Sequence, residues 1–185
     1  DHKKQIPIYY VPLHLNDIKR RECTSWSMLH GAYIARKIAM SMSKWLAPDK
    51  YYVSFPHGVC FPTEVRKYRN DISSKNSFFL SHLGKTALDG ELLGFTFTYD
   101  DYIKIKDYMK NQCYQLNKPI KVFTLKDSLS YLSNEKAIIK NLDTYHRIDS
   151  WQAYCDFISA SGHRFKKPSK LILNYHEWNG IGTDE

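Results

Sequence analysis

The sequence predicts an α+β fold, and three observations carry that expectation. Of the 185 residues, 43% are hydrophobic and 15% aromatic, which is too apolar for a disordered chain. Short runs rich in Ile, Val, Tyr and Phe are bounded by prolines, as strands are. Between those runs lie two segments whose apolar residues recur at helical spacing. The length suits one compact domain or two small lobes sharing a core.

Taken in order, Ile6 to Leu15 reads as a strand near a sheet edge, because Pro7 and Pro12 remove ladder donors. Asn16 to Glu22 is a polar connection. Thr24 or Ser25 then supplies an N-cap for a helix running to about Leu46, closed by Pro48. Tyr51 to Phe55 is a second strand, stopped by Pro56. Pro62 to Asp89, with Arg66, Lys67, Arg69 and Lys75, reads as a long polar excursion over the surface.

Glu91 to Thr98 resumes as a strand, and Asp100-Asp101 opens a helix on which Tyr102, Ile105, Tyr108, Met109 and Tyr114 share helical spacing. Pro119 ends that segment and Ile120 to Leu125 makes a fourth strand. Residues 6 to 125 therefore read β-α-β-β-α-β, the ferredoxin-like order. Beyond Lys126 the pattern changes: a polar stretch, a short helix over Glu135 to Leu142, then strands over Trp151 to Ile158 and Lys170 to Tyr175, the first of them open to a helical reading. The expected organisation is a ferredoxin-like lobe over 1–125 and a small basic lobe over 126–185.

Twenty-seven Lys and Arg against nineteen Asp and Glu give a net charge of +8, which biases the chain toward polyanions. Cys23, Cys60, Cys113 and Cys155 stand singly, without a C-x-x-C pair; this argues against a zinc knuckle and for free thiols in a reducing compartment. No apolar run approaches membrane-spanning length, and Asp1-His-Lys-Lys opens no signal sequence, so a cytoplasmic location without a membrane partner is expected. A phosphate-binding glycine loop and a dinucleotide fingerprint are missing, which removes kinase, NTPase and dehydrogenase readings. His14, His57, His82 and His176 have no H-E-x-x-H context, so no metal and no cofactor are assigned.

Two strings carry the chemistry. His30, in Leu29-His30-Gly31, falls within about 40° of Lys37 and Lys44 on a helical wheel. It belongs to a basic stripe that attracts phosphate, and there it could accept a proton as a general base. Ser159-Ala-Ser161-Gly162 predicts a turn whose two hydroxyls could position a ribose 2′-OH or a phosphate oxygen. Arg164, Lys166, Lys167 and Lys170 follow, with Phe165 interleaved, which supplies phosphate neutralisation and a ring for stacking. The bland alternatives are a surface histidine and a solvated turn. A rival chemistry uses Cys23, placed just before a helix whose dipole would favour its thiolate, with His146 or His163 as base.

Leu29-His30-Gly31 in the first helix, Val53-Ser54-Phe55-Pro56 on the second strand and Ser159-x-Ser161-Gly162-x-x-Phe165 near the end together resemble the type I-F CRISPR repeat endoribonucleases. That resemblance implies a metal-independent cut in which His30 deprotonates a 2′-OH, Ser159 orients the ribose and Phe165 stacks on the end of the repeat hairpin. RNA contacts would come from Lys37, Lys44, Lys126, Lys136, Lys140, Arg147, Ser161, Arg164, Phe165, Lys166 and Lys167. The partners implied are the hairpin or guide RNA and other subunits of the surveillance complex. The chain departs from the family pattern in three places. Where the family has an arginine-rich helix, Glu135 to Arg147 offers only Lys136, Lys140 and Arg147; Pro62 to Asp89 is longer than expected; and no closing tyrosine-glycine-leucine-serine strand follows Tyr175. A non-catalytic RNA-binding subunit is the second reading, and a Cys23-dependent effector the third.

Overall fold

A computed structural model describes Tyr9, Val11 and residues 23–42, 46–115, 124–132 and 137–161, the side chains at 113–115 and 161 excepted. The chain divides into two compact units, Asp1–Arg147 and Ile148–Glu185. The first holds α1 (Thr24–Ser41), β1 (Lys50–Val53), β2 (Gly58–Val59), α2 (Pro62–Lys67), α3 (Arg69–Ser73), β3 (Phe78–His82) and β4 (Lys85–Thr86). A 3-10 turn follows at Ala87–Asp89, then β5 (Phe95–Thr98), α4 (Tyr99–Gln115), α5 (Leu125–Leu129), β6 (Ile138–Asn141) and β7 (His146–Arg147). The second contains α6 (Trp151–Ser161). The protein is mixed α+β, with a mixed sheet and six helices among the described residues.

β1 pairs antiparallel with β5, placing Tyr51 opposite Phe97 and Val53 opposite Phe95. The Tyr51 and Phe97 rings stack at 5.1 Å. On its other side β5 meets β3 at Phe79 and Phe95, again antiparallel, and β6 runs parallel to β3 over Phe78 to Ser81. β4 returns on β3 through Leu83-Gly84, both at positive φ, the geometry of a tight hairpin turn. β2 and β7 form a separate two-stranded ribbon.

β3 explains how the sheet is covered. Successive strand residues point to opposite faces, so Phe79 enters one core with Leu29, Phe95, Phe97, Ile105 and Leu129. Phe78 and Leu80 enter a second with Leu93 and Leu142, against which Val65, Tyr68 and Ile72 pack. Residues of α1, α4 and α5 thus join the first core, and residues of α2 and α3 the second. A strand buried on both faces is a continuous apolar run without alternation.

That arrangement corrects several expectations. Pro62 to Asp89 is not a surface excursion: it contributes two short helices, the central strand β3 and the hairpin. Of the helix expected over Glu135 to Leu142, the described residues 137–142 are not helical, because Ile138 to Asn141 pair with β3 and give the sheet a parallel neighbour that outweighs local helix preference. Trp151 to Ile158 is helical, the alternative reading of that segment. Residues beyond 126 complete the first unit's sheet and ribbon, so the division comes after Arg147 and not near 126. In the ferredoxin-like order, the flanks of β1 and β5 are as expected, α1 before and α4 after. However, β5's second neighbour is β3, which that order did not include. The expected strands at 6–15 and 120–125 lie outside the described residues, except that Tyr9 and Val11 are not in a strand and Leu125 opens α5. Lys170 to Tyr175 also lies outside.

Local caps fix the helix starts. Thr98 and Asp101 bond reciprocally: the Asp101 carboxylate accepts from the Thr98 amide and hydroxyl at 3.0 and 2.8 Å, and the Asp101 amide donates back at 3.2 Å. The same T-x-x-D box recurs at Thr86–Asp89 and Thr124–Asp127, satisfying amides that a helix start leaves unpaired.

A buried carboxylate does the equivalent work between elements. Glu64, on α2, accepts from the amides of Asp143 and Thr144 at 3.0 and 3.3 Å and from the Thr144 hydroxyl, fixing the turn between β6 and β7. Burial works to raise its carboxyl, but the hydrogen bonds from Thr144 and Asp143 outweigh burial and hold it below the usual carboxylate range. A depressed folded-state value contributes stability above the unfolded value and loses it as pH falls through the folded one. Glu64→Gln is therefore expected to cost about 2 kcal/mol at neutral pH, with the gap to wild type narrowing as pH falls below the ordinary carboxylate range. Urea melts of both proteins across that range check it, and a gap independent of pH would contradict it.

Candidate nucleic-acid interface

α1 is anchored at both ends. Near its start the Ser25 hydroxyl donates to the Thr124 carbonyl at 3.1 Å, and farther along Arg36 Nη1 donates to the Pro48 carbonyl at 3.0 Å. Met28, Leu29, Ala32 and Ala39 are buried. His30 is half-buried and Lys37 exposed, and the Lys37 ammonium stands 5.3 Å from the centre of the Tyr33 ring. α1 has no Asp or Glu anywhere along it, so this part of the predicted basic stripe carries no acidic residue of its own. Lys44 lies outside the described residues.

Between α1 and the edge strand β1 opens a groove of about 600 Å³. Ser27, Gly31 and Ala35 line its helical side, and Tyr51 to Phe55 its strand side. Two of the three segments that carry the resemblance thus contribute to this groove, Gly31 from one and Val53, Ser54 and Phe55 from the other. His30 is not among the lining residues, since one residue of helix turns the side chain by about 100°.

Ser159 is exposed in the last turn of α6, in the second compact unit. The glycine turn expected at Ser159-Ala-Ser161-Gly162 is corrected over its first three residues, which continue α6. The Ser161 side chain, Arg164, Phe165, Lys166 and Lys167 lie outside the described residues, as does Lys136. Lys126 is exposed on α5. Lys140 pairs with Asp71 at 3.4 Å and Arg147 with Glu91 at 3.7 Å, so carboxylates offset both charges.

The charge itself is distributed differently from expectation. Residues 126–185 hold eight Lys and Arg against eight Asp and Glu, whereas residues 1–125 hold nineteen against eleven. The second lobe is not basic, and the whole surplus belongs to the first 125 residues. Cys23 is 1% exposed, which closes its thiol to a substrate and removes the structural basis for the Cys23 chemistry. His146 is half-buried on β7, and His163 lies outside the described residues.

Sequence reasoning missed Arg36, Tyr33, Tyr99 and Lys106. The Arg36 guanidinium lies 3.8 Å from the Tyr99 ring centre, Tyr99 and Tyr102 stack at 5.5 Å, and the Lys106 ammonium lies 5.8 Å from Tyr102. The tyrosine spacing on α4 was visible but registered only as an apolar stripe. Burial raises the Tyr102 hydroxyl pKa, with Tyr99, Tyr33 and Tyr51 adding to it, so its proton stays on.

Among the described residues, no three His, Cys, Asp or Glu side chains converge as a metal would require, and no helix is long and apolar enough to cross a membrane. Compared with family models, curated proteins and solved structures, the chain finds no match, and the chemistry rests on its own residues.

Proposed function

We propose that this protein binds RNA and cleaves a CRISPR-type repeat hairpin without a metal, remaining with the guide RNA among the subunits of a surveillance complex. His30 takes the proton of a ribose 2′-OH; the 2′-oxygen bonds to the adjacent phosphorus as the bond to the 5′-oxygen breaks. The departing oxygen takes up a proton, leaving a 5′-hydroxyl and a 2′,3′-cyclic phosphate. The observation that supports this most is that Gly31, the residue after His30 on a helix without acidic residues, lines one groove with Val53, Ser54 and Phe55. Ser159 and the segment around Phe165 enter through the resemblance alone.

The test is a labelled repeat hairpin incubated in EDTA. Cleavage that survives chelation, leaves a cyclic phosphate and disappears in His30→Ala supports the reading, and cleavage that requires a divalent metal overturns it. That His30 does not itself line the groove favours a second reading, an RNA-binding subunit that does not cut. In that case wild type and His30→Ala bind the hairpin equally and neither cleaves it.

A further inference from the structure

We infer that the face shared by α1 and α4 is a binding surface for single-stranded RNA, with Tyr33 and Tyr99 as ring contacts and Arg36, Lys37 and Lys106 as phosphate contacts. The inference rests on the reading that the polyanion is RNA, and to Lys37, which that reading already held, it adds Tyr33, Arg36, Tyr99 and Lys106. Energetically significant cation–π pairs occur about once in 70–80 residues, yet three fall on this one pair of helices. Part of this face reaches solvent: Tyr33 is 43% exposed, the Lys106 side chain is 43% exposed and Lys37 is exposed, while Tyr102 is buried in the core beneath them. Arg36 is held in place by the Pro48 carbonyl, which sets its guanidinium over Tyr99 and removes the ordering cost a free side chain would meet on binding.

Acidic groups near the face are few. Asp107 lies 3.8 Å from Lys106, Asp100 is exposed on the first turn of α4, and Asp101 is turned to its cap on Thr98. α1 adds none. Rings interleaved with cations match what unpaired nucleotides offer, a planar base and a phosphate in each repeat, whereas duplex DNA keeps its bases stacked internally.

The test is fluorescence anisotropy of a labelled single-stranded oligouridylate across a salt series, with wild type, Tyr33→Phe and the triple variant Tyr33→Leu/Lys37→Ala/Lys106→Ala. All three positions are solvent-facing, and thermal melts establish that the variants fold. The triple variant should bind at least about tenfold more weakly, and its log affinity should fall with log salt by about 1.4 less per decade, two phosphate contacts being lost. Tyr33→Phe should bind like wild type. The same weakening is expected in a His30→Ala background, so cleavage and this surface are scored separately. Unchanged affinity and salt slope in the triple variant overturn the inference while leaving the cleavage reading intact. Equal weakening toward heparin overturns the assignment to RNA, and a wild type that binds no RNA overturns both proposals.

Discussion

Phe79→Ala is expected to remove about 3–5 kcal/mol of stability, a large part of the 5–15 kcal/mol available to a typical domain. Phe79 is fully buried at the centre of β3, opposite Phe95 in register and stacked on it at 6.1 Å. Truncation strips contacts from residues of both α1 and α4 at once, and the surrounding strands cannot close the cavity without breaking their ladder. Urea denaturation gives the comparison, with Ile139→Ala as the control. Ile139 occupies the same register on β6 but is 54% exposed, so its truncation should cost under about 1 kcal/mol. Similar costs for the two variants would contradict the burial of β3 on both faces.

His30→Ala is expected to lower the cleavage rate by about 10²–10⁴-fold, the usual contribution of a positioned acid or base. Because the loss belongs to the reacting proton, it should appear in the single-turnover rate at saturating RNA, with the dissociation constant nearly unchanged. Stability should scarcely move, since the side chain is only half-buried and the helix is held by Met28, Leu29, Ala32 and Ala39. A variant that loses binding in proportion to cleavage would reassign His30 from base to phosphate contact.

How far each part was legible depends on the range of the forces that made it. The start of α1, the span of α4, the pairing partners Tyr51 to Val53 and Phe95 to Thr98, and the helix that opens near Asp100 follow from periodicity, proline stops and caps within a few residues, whereas α1 ends at Ser41 and not near Leu46. Thr86–Asp89 and Thr124–Asp127 were equally local, and their T-x-x-D spacing was the overlooked signal for two further starts. β3 was obscured because Ser77-Phe78-Phe79-Leu80 has no alternation: its two faces meet different cores. β6 was obscured because its parallel partner lies about sixty residues away and nothing local to Ile138 to Asn141 announces it.

The candidate site divides in the same way. His30 and Lys37 on one helix could be read from the turn of that helix. Whether charges are free could not, since Lys140 and Arg147 meet carboxylates brought by distant segments, and Arg36 meets Tyr99 across two helices.

By itself, then, the sequence determined an α+β chain with its positive surplus, a first helix bearing His30, and a strand that ends at Val53, just ahead of Ser54 and Phe55. Those depend on composition and on contacts along one element. Only the tertiary structure decided that the segment after Pro62 supplies the central strand, that the boundary falls after Arg147, that Cys23 is closed off, and that a groove and a tyrosine-cation face flank α1. Each of those depends on which distant residues exclude water from one another, and burial between remote segments has no local signature.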